Sequence, residues 1–181
     1  MATASQTSHA EAEILKDIIY AANDGIITTF AVAAGVWGGG LSALTVLILG
    51  FANLFADGFS MAISNYLGTE SEKEFLEAER EDTSEAESPL RNSVITFFAF
   101  TLAGAIPILP FLPGLSGERN FFYSVVFSLT TLFIIGACRT RFTRKNWFFS
   151  GLEMFALGGV AAFIAYAVGF LIKEAVSPVV F

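Results

Sequence analysis

The chain has 181 residues, 54% of them hydrophobic and 20 of them Phe, with a mean hydropathy of +0.64. That is too apolar for an ordinary water-soluble domain, and the length allows only a handful of membrane crossings. The formal net charge of −7 is a local property, because nine of the 17 acids lie between Glu70 and Glu87.

Residues 1–17 form a polar segment without the pattern of a cleaved secretory signal, so the apolar run that follows is expected to remain as a helix. His9 lies in this segment, where disorder is expected rather than metal ligation. Runs long enough to cross about 30 Å of hydrocarbon, at about 1.5 Å per residue, cover 18–40, 43–67, 93–112, 121–138 and 147–172. The expected fold is an all-α integral membrane protein with five transmembrane helices in one domain, 18–172. An acidic loop, 68–88, joins the second and third spans, and 173–181 forms a C-terminal tail.

The first span ends in Gly35, Gly38, Gly39 and Gly40, with Ala31, Gly35 and Gly39 on one face. Small residues at that spacing let helices approach closely, which suggests a homodimer seam; packing within one subunit is the alternative. In the second span Asn53, Asp57, Met61 and Asn65 recur every four residues and make one polar stripe. In the loop, Glu70, Glu74, Glu77 and Glu81 would make an acidic stripe if the second helix ran on, most simply a solvated face. Pro107, Pro110 and Pro113 place a kink and then an end in the third span. Cys138 is the single cysteine, which excludes an internal disulfide and any multi-cysteine metal cage.

Orientation follows from the basic residues. With the N-terminus cytoplasmic, Lys16, Lys73, Arg80, Arg91, Arg139, Arg141, Arg144 and Lys145 lie inside, and only Arg119 and Lys173 outside. Five spans then put the C-terminus outside or in a lumen.

Acids within spans are costly, by about 3 kcal/mol each on insertion scales, and mark paths for ions or protons. Asp24, Met61 and Glu153 each lie six residues from one end of a span, so depth counting puts them about 9 Å inside, at one level. Oxygen ligands joined by a thioether favour ferrous iron or manganese over calcium.

Three groups of residues carry a family likeness. They are Glu13 to Gly25 with Phe30 to Gly35; Gly58, Phe59, Ser60 and Met61 with Tyr66 and Leu67; and Ile106 to Pro110 with Ser150, Gly151, Leu152 and Glu153. Across about residues 11–172 the chain resembles the vacuolar iron transporter family, in a short form lacking the full cytoplasmic metal-binding domain. The resemblance implies a dimeric five-helix exporter of ferrous iron, and in some members manganese, from the cytosol in exchange for protons. It implies a membrane metal site at Asp24 and Met61, with acidic pathway positions at Glu13, Asp17 and Glu153. Asn53 departs from the pattern, since plant-type members carry glutamate there; Asp57, one turn on, is placed to supply that charge by helical spacing alone. The loop 68–88 is too short for the family's cytoplasmic bundle, so none of that bundle's ligands is carried over.

The expected partners are divalent metal ions, protons, lipid and a second copy of the chain. No cofactor beyond the transported ion and no nucleic acid is implied. A non-transporting membrane metal-binding or scaffold protein is the alternative function. An enzyme is not expected, because the chain has no Gly-x-Gly-Asp motif, no membrane histidine and no phosphate loop. The compact chain points to a prokaryotic plasma membrane, with a vacuolar membrane as the alternative.

Overall fold

A computed structural model describes residues 2–79, 88–115, 119–143 and 146–176, with side chains over 14–79, 88–115, 119–140 and 146–176. Its elements are α1 (Ala2–Gly38), α2 (Ala43–Ala78), α3 (Pro89–Gly104), a short 3-10 helix (Ile106–Phe111), α4 (Asn120–Thr143) and α5 (Trp147–Val176). No strand occurs among the described residues. Five helical segments are long and apolar enough to cross a membrane, so this is a multi-pass membrane protein. The helix is the only open-ended element that satisfies every backbone N–H and C=O internally in lipid. Phe163, Leu102 and Phe149, each at least 68% exposed, are then ordinary lipid-facing residues.

Several boundaries differ from the sequence expectation: α3 begins at Pro89 and α4 runs on to Thr143. Residues 2–17 continue α1 as helix, including the backbone at His9, and α5 runs on to Val176. The second helix passes residue 67 and ends at Ala78, so the first half of the acidic loop is helical. Runs of good helix formers extend a helix beyond the hydrocarbon that first requires it. Glu81 to Glu87 and the tail 177–181 lie outside the described residues.

The α1–α2 turn sets the geometry that follows. Gly40 has φ +68°, the left-handed conformation that a side chain disfavours. Leu41 N–H donates to Val36 O at 3.0 Å and Gly40 N–H to Trp37 O at 2.9 Å, the paired bonds of a Schellman cap. Ser42 then caps α2, its hydroxyl oxygen accepting from Thr45 N–H at 3.3 Å. So tight a turn forces α1 and α2 antiparallel, with residues equidistant from Gly40–Leu41 at equal height.

α1 is the central helix, packed on α3, α4 and α5 as well as α2; α2 leans mainly on α3, and α4 pairs with α5. No contact joins α2 to α5 among the described residues. On α1, Ala33 is buried with Leu54 of α2 and Phe100 of α3, Ile26 with Leu132 of α4, and Phe30 with Ala162 of α5. α1 and α3 cross where a Cβ on Gly104 would lie 2.8 Å from Gly25 O. The Gly35 and Gly38 face is taken up by α5 of the same chain: a Cβ on Gly38 would strike Tyr166 O, and one on Gly169 would strike Gly35 O. This corrects the expected homodimer seam, because the small-residue surface is filled from within the subunit.

The third span ends as its prolines require. α3 stops at Gly104, and a 3-10 helix containing Pro107 and Pro110 completes the crossing. The buried Ser124 hydroxyl on α4 donates to Pro107 O at 2.6 Å, satisfying a carbonyl that the broken helix leaves without an internal partner.

Candidate metal centre

The antiparallel register turns scattered polar residues into rungs between α1 and α2. Asp24 and Asp57 are equidistant from the Gly40 turn, and their carboxylates lie within electrostatic range of each other. One turn toward the N-terminal end of α1, Tyr20 and Met61 share a cavity. One turn further, Asn65 Nδ2 donates to Asp17 Oδ2 at 2.9 Å. Steps of three or four residues along α1 are matched by steps of four along α2 in the opposite direction.

This register places Asp57, rather than Met61, at the height of Asp24. The depth count measured Met61 from an estimated span end at residue 67, but α2 has no end there, and the Gly40 turn is the true origin. Met61 still belongs to the same face, about one helical turn (~5.4 Å) from the acidic pair.

Asp24 is half-buried on α1, and the Thr28 hydroxyl donates to its backbone carbonyl at 2.9 Å, leaving the carboxylate untouched. Among the described residues no three acidic, histidine or cysteine side chains come together. Among the described residues an ion at this face meets at most two carboxylates, with neutral oxygen, sulfur or water for its remaining positions. Such donors are at hand. Met61 is partly buried, and the Thr101 hydroxyl oxygen is buried without a partner; the unpartnered atom of Asn53 is Nδ2, a hydrogen-bond donor, which no cation can use. Thr101 reaches in from α3, its hydroxyl 3.1 Å from where a Cβ on Gly58 would stand. Two carboxylates, a thioether and a hydroxyl favour a divalent ion of intermediate softness.

Glu153 is not brought to this face. It sits on α5, which does not touch α2, and its Oε2 is 3.0 Å from Arg139 Nη2 on α4. Depth along a helix says nothing about direction around it, which is why counting grouped Glu153 with Asp24. The side chain of Glu13 lies outside the described residues. Thr96, which lines the Met61 cavity from α3, is a residue that sequence reasoning passes over; a Thr in an apolar span carries no signal of direction.

The profile of the VIT family matches residues 15–86 and 81–170. The chain belongs to the VIT family. Proteins named vacuolar iron transporter are similar to it over most of their length. The one from Toxoplasma gondii is 26% identical across 92% of this chain and 76% of its own. That from Plasmodium falciparum is 25% identical across 90% and 84%, and vacuolar iron transporter 1 of Arabidopsis thaliana is 26% identical across 90% and 87%. The VIT match spans all five helices, so the α1–α2 face lies inside the shared region.

Proposed function

We propose that this VIT-family protein is a divalent-metal carrier that takes ferrous iron, with manganese as a second substrate, from the cytosol across its membrane in exchange for protons. The observation that carries the reading is the α1–α2 face, with Asp17, Met61 and the Asp24–Asp57 pair in sequence along two spanning helices. The iron in the names of its relatives supports the choice of substrate.

Asp24 and Asp57 do the electrostatic work. Two carboxylates held close repel each other unless a cation or a proton lies between them. A divalent ion arriving there relieves the repulsion, and a proton arriving from the far side takes its place. This exchange couples the two fluxes without any covalent step. Met61 discriminates among ions, since a thioether adds little for calcium and more for later divalent metals. The gathering of basic residues on one side supports an N-terminus, and hence an Asp17 end, in the cytoplasm. A second copy of the chain and a prokaryotic plasma membrane complete the reading, with the homodimer contact on a face other than Gly35 and Gly38.

Proteoliposomes under an imposed proton gradient provide the test. Saturable Fe²⁺ and Mn²⁺ uptake that collapses with the gradient is the expected result. Metal binding with no saturable flux would replace the carrier by a membrane metal-binding or scaffold protein.

A further inference from the structure

We propose that Asn65 and Thr96 complete, with Asp17 and Met61, a second divalent-cation site, one that receives the ion while it still carries water. The proposal rests on the carrier reading and adds a station to it.

A cavity of about 220 Å³ lies between α1, α2 and α3, lined by Asp17, Tyr20, Met61, Ser64, Asn65 and Thr96. Water takes about 30 Å³ in the liquid, so the cavity holds the equivalent of about seven waters, enough for a cation and much of its first shell. Two of its lining residues carry a buried oxygen without a hydrogen-bond partner, Asn65 Oδ1 and Thr96 Oγ1. Thr96 is only 2% exposed. A buried polar atom left unpaired costs about 1–3 kcal/mol, so two at one cavity point to a ligand.

Packing alone does not account for Thr96. Hydroxyls on helices in lipid ordinarily donate to the carbonyl one turn back, as Thr28, Thr69, Ser128 and Thr131 do here. Thr96 makes no such bond and borders the cavity.

Asn65 can serve the protein in two ways. Its Nδ2 donates to Asp17 Oδ2, which ties α1 to α2. Turned over about its terminal bond, the same amide presents Oδ1 to the position its N–H₂ group held. A cation approaching Asp17 repels the amide donor and attracts the amide oxygen, so arrival of the ion and rotation of Asn65 are one event. Lys16 Nζ stands 4.0 Å from Asp17 Oδ1 on an exposed side chain that is free to swing into solvent as the ion arrives. One carboxylate with neutral oxygens binds loosely, as an intermediate station should. Met61 lines this cavity one helical turn along α2 from Asp57.

The test uses the full chain with Mn²⁺ as probe, by uptake into proteoliposomes and by electron paramagnetic resonance of bound Mn²⁺ in detergent. Thr96→Val is expected to raise the KM for Mn²⁺ about tenfold with maximal rate within about twofold, and Thr96→Ser to restore it. Asn65→Asp is expected to tighten Mn²⁺ binding, a gain that a merely structural role for the amide does not predict. Unchanged KM in Thr96→Val, or weakened binding in Asn65→Asp, overturns the second site while leaving the carrier intact. If Thr96→Val does not fold, Asn65→Asp against wild type decides. If wild type shows no saturable uptake, the carrier reading falls, and the resonance measurement judges the site alone: loss of one bound Mn²⁺ in Thr96→Val keeps it, and unchanged stoichiometry removes it.

Discussion

Arg139 on α4 pairs with Glu153 on α5 through a 3.0 Å contact between Nη2 and Oε2, on a helix that makes no contact with α2 and its Met61. The pair is partly exposed, so its contribution to stability is small, about 0–1 kcal/mol. Glu153→Gln is expected to leave the KM for Mn²⁺ within about twofold of wild type and to lower thermal stability only slightly. A large loss of uptake in a folded Glu153→Gln protein would return Glu153 to the pathway.

In the proposed carrier Asp24 and Asp57 act as a pair, so each single neutralisation should cost more than the loss of one isolated charge. Asp24→Asn and Asp57→Asn are each expected to reduce uptake on the order of a hundredfold, by removing charge where the ion is least hydrated. Neutralising Glu70, Glu74 and Glu77 together on the exposed end of α2 should cost far less, and the cost should vanish in high salt. Uptake kinetics at two ionic strengths separate the two classes.

Met61→Leu conserves volume and removes the sulfur. The expected result is a folded protein whose preference moves from Fe²⁺ toward Ca²⁺ by roughly fivefold, about 1 kcal/mol. Competition of each ion against labelled Mn²⁺ measures it, and an unaltered ranking would mean that the thioether only packs.

Gly38 faces Tyr166 O of α5, so a large side chain there forces two helices of one subunit apart. Gly38→Leu is expected to unfold the subunit, with a loss of at least about 3 kcal/mol in denaturant titration. A folded monomer from a previously dimeric protein would instead assign this surface to the partner copy.

Gly40 and Ser42 fix the α1–α2 register from outside the site. Gly40→Ala puts a Cβ at φ +68°, 3.0 Å from Lys173 Nζ, and should cost about 1–2 kcal/mol. Ser42→Ala removes the cap and should cost about 1 kcal/mol. Thermal unfolding in detergent reads both.

The five helices and their order are legible in the sequence because hydrocarbon thickness dictates run length, and Pro107 and Pro110 announce the broken third span. The Asn53 to Asn65 stripe is legible because four-residue spacing marks one face. The facing of Asp24 by Asp57 could be found by counting outward from Gly40, since a tight turn fixes register; counting inward from fading hydrophobicity at residue 67 misplaces Met61 by a turn. The partners of Glu153 and Thr96 are not legible, because rotation of α3 and α5 about their axes depends on tertiary packing. The Gly35 surface is equally ambiguous, as the same small residues suit a neighbour in either subunit.

The Schellman turn at Gly40 makes α1 and α2 the two arms of a pair of tweezers. At about 1.5 Å per residue, Asp24 stands ~24 Å and Asp17 ~34 Å from that pivot. Each degree of spreading about Gly40 therefore parts the Asp24–Asp57 rung by about 0.4 Å and the Asp17–Asn65 rung by about 0.6 Å. The lever arm grades the clearance along the α1–α2 face, so a small tilt would part Asn65 from Asp17 before it separated the acids nearer the pivot.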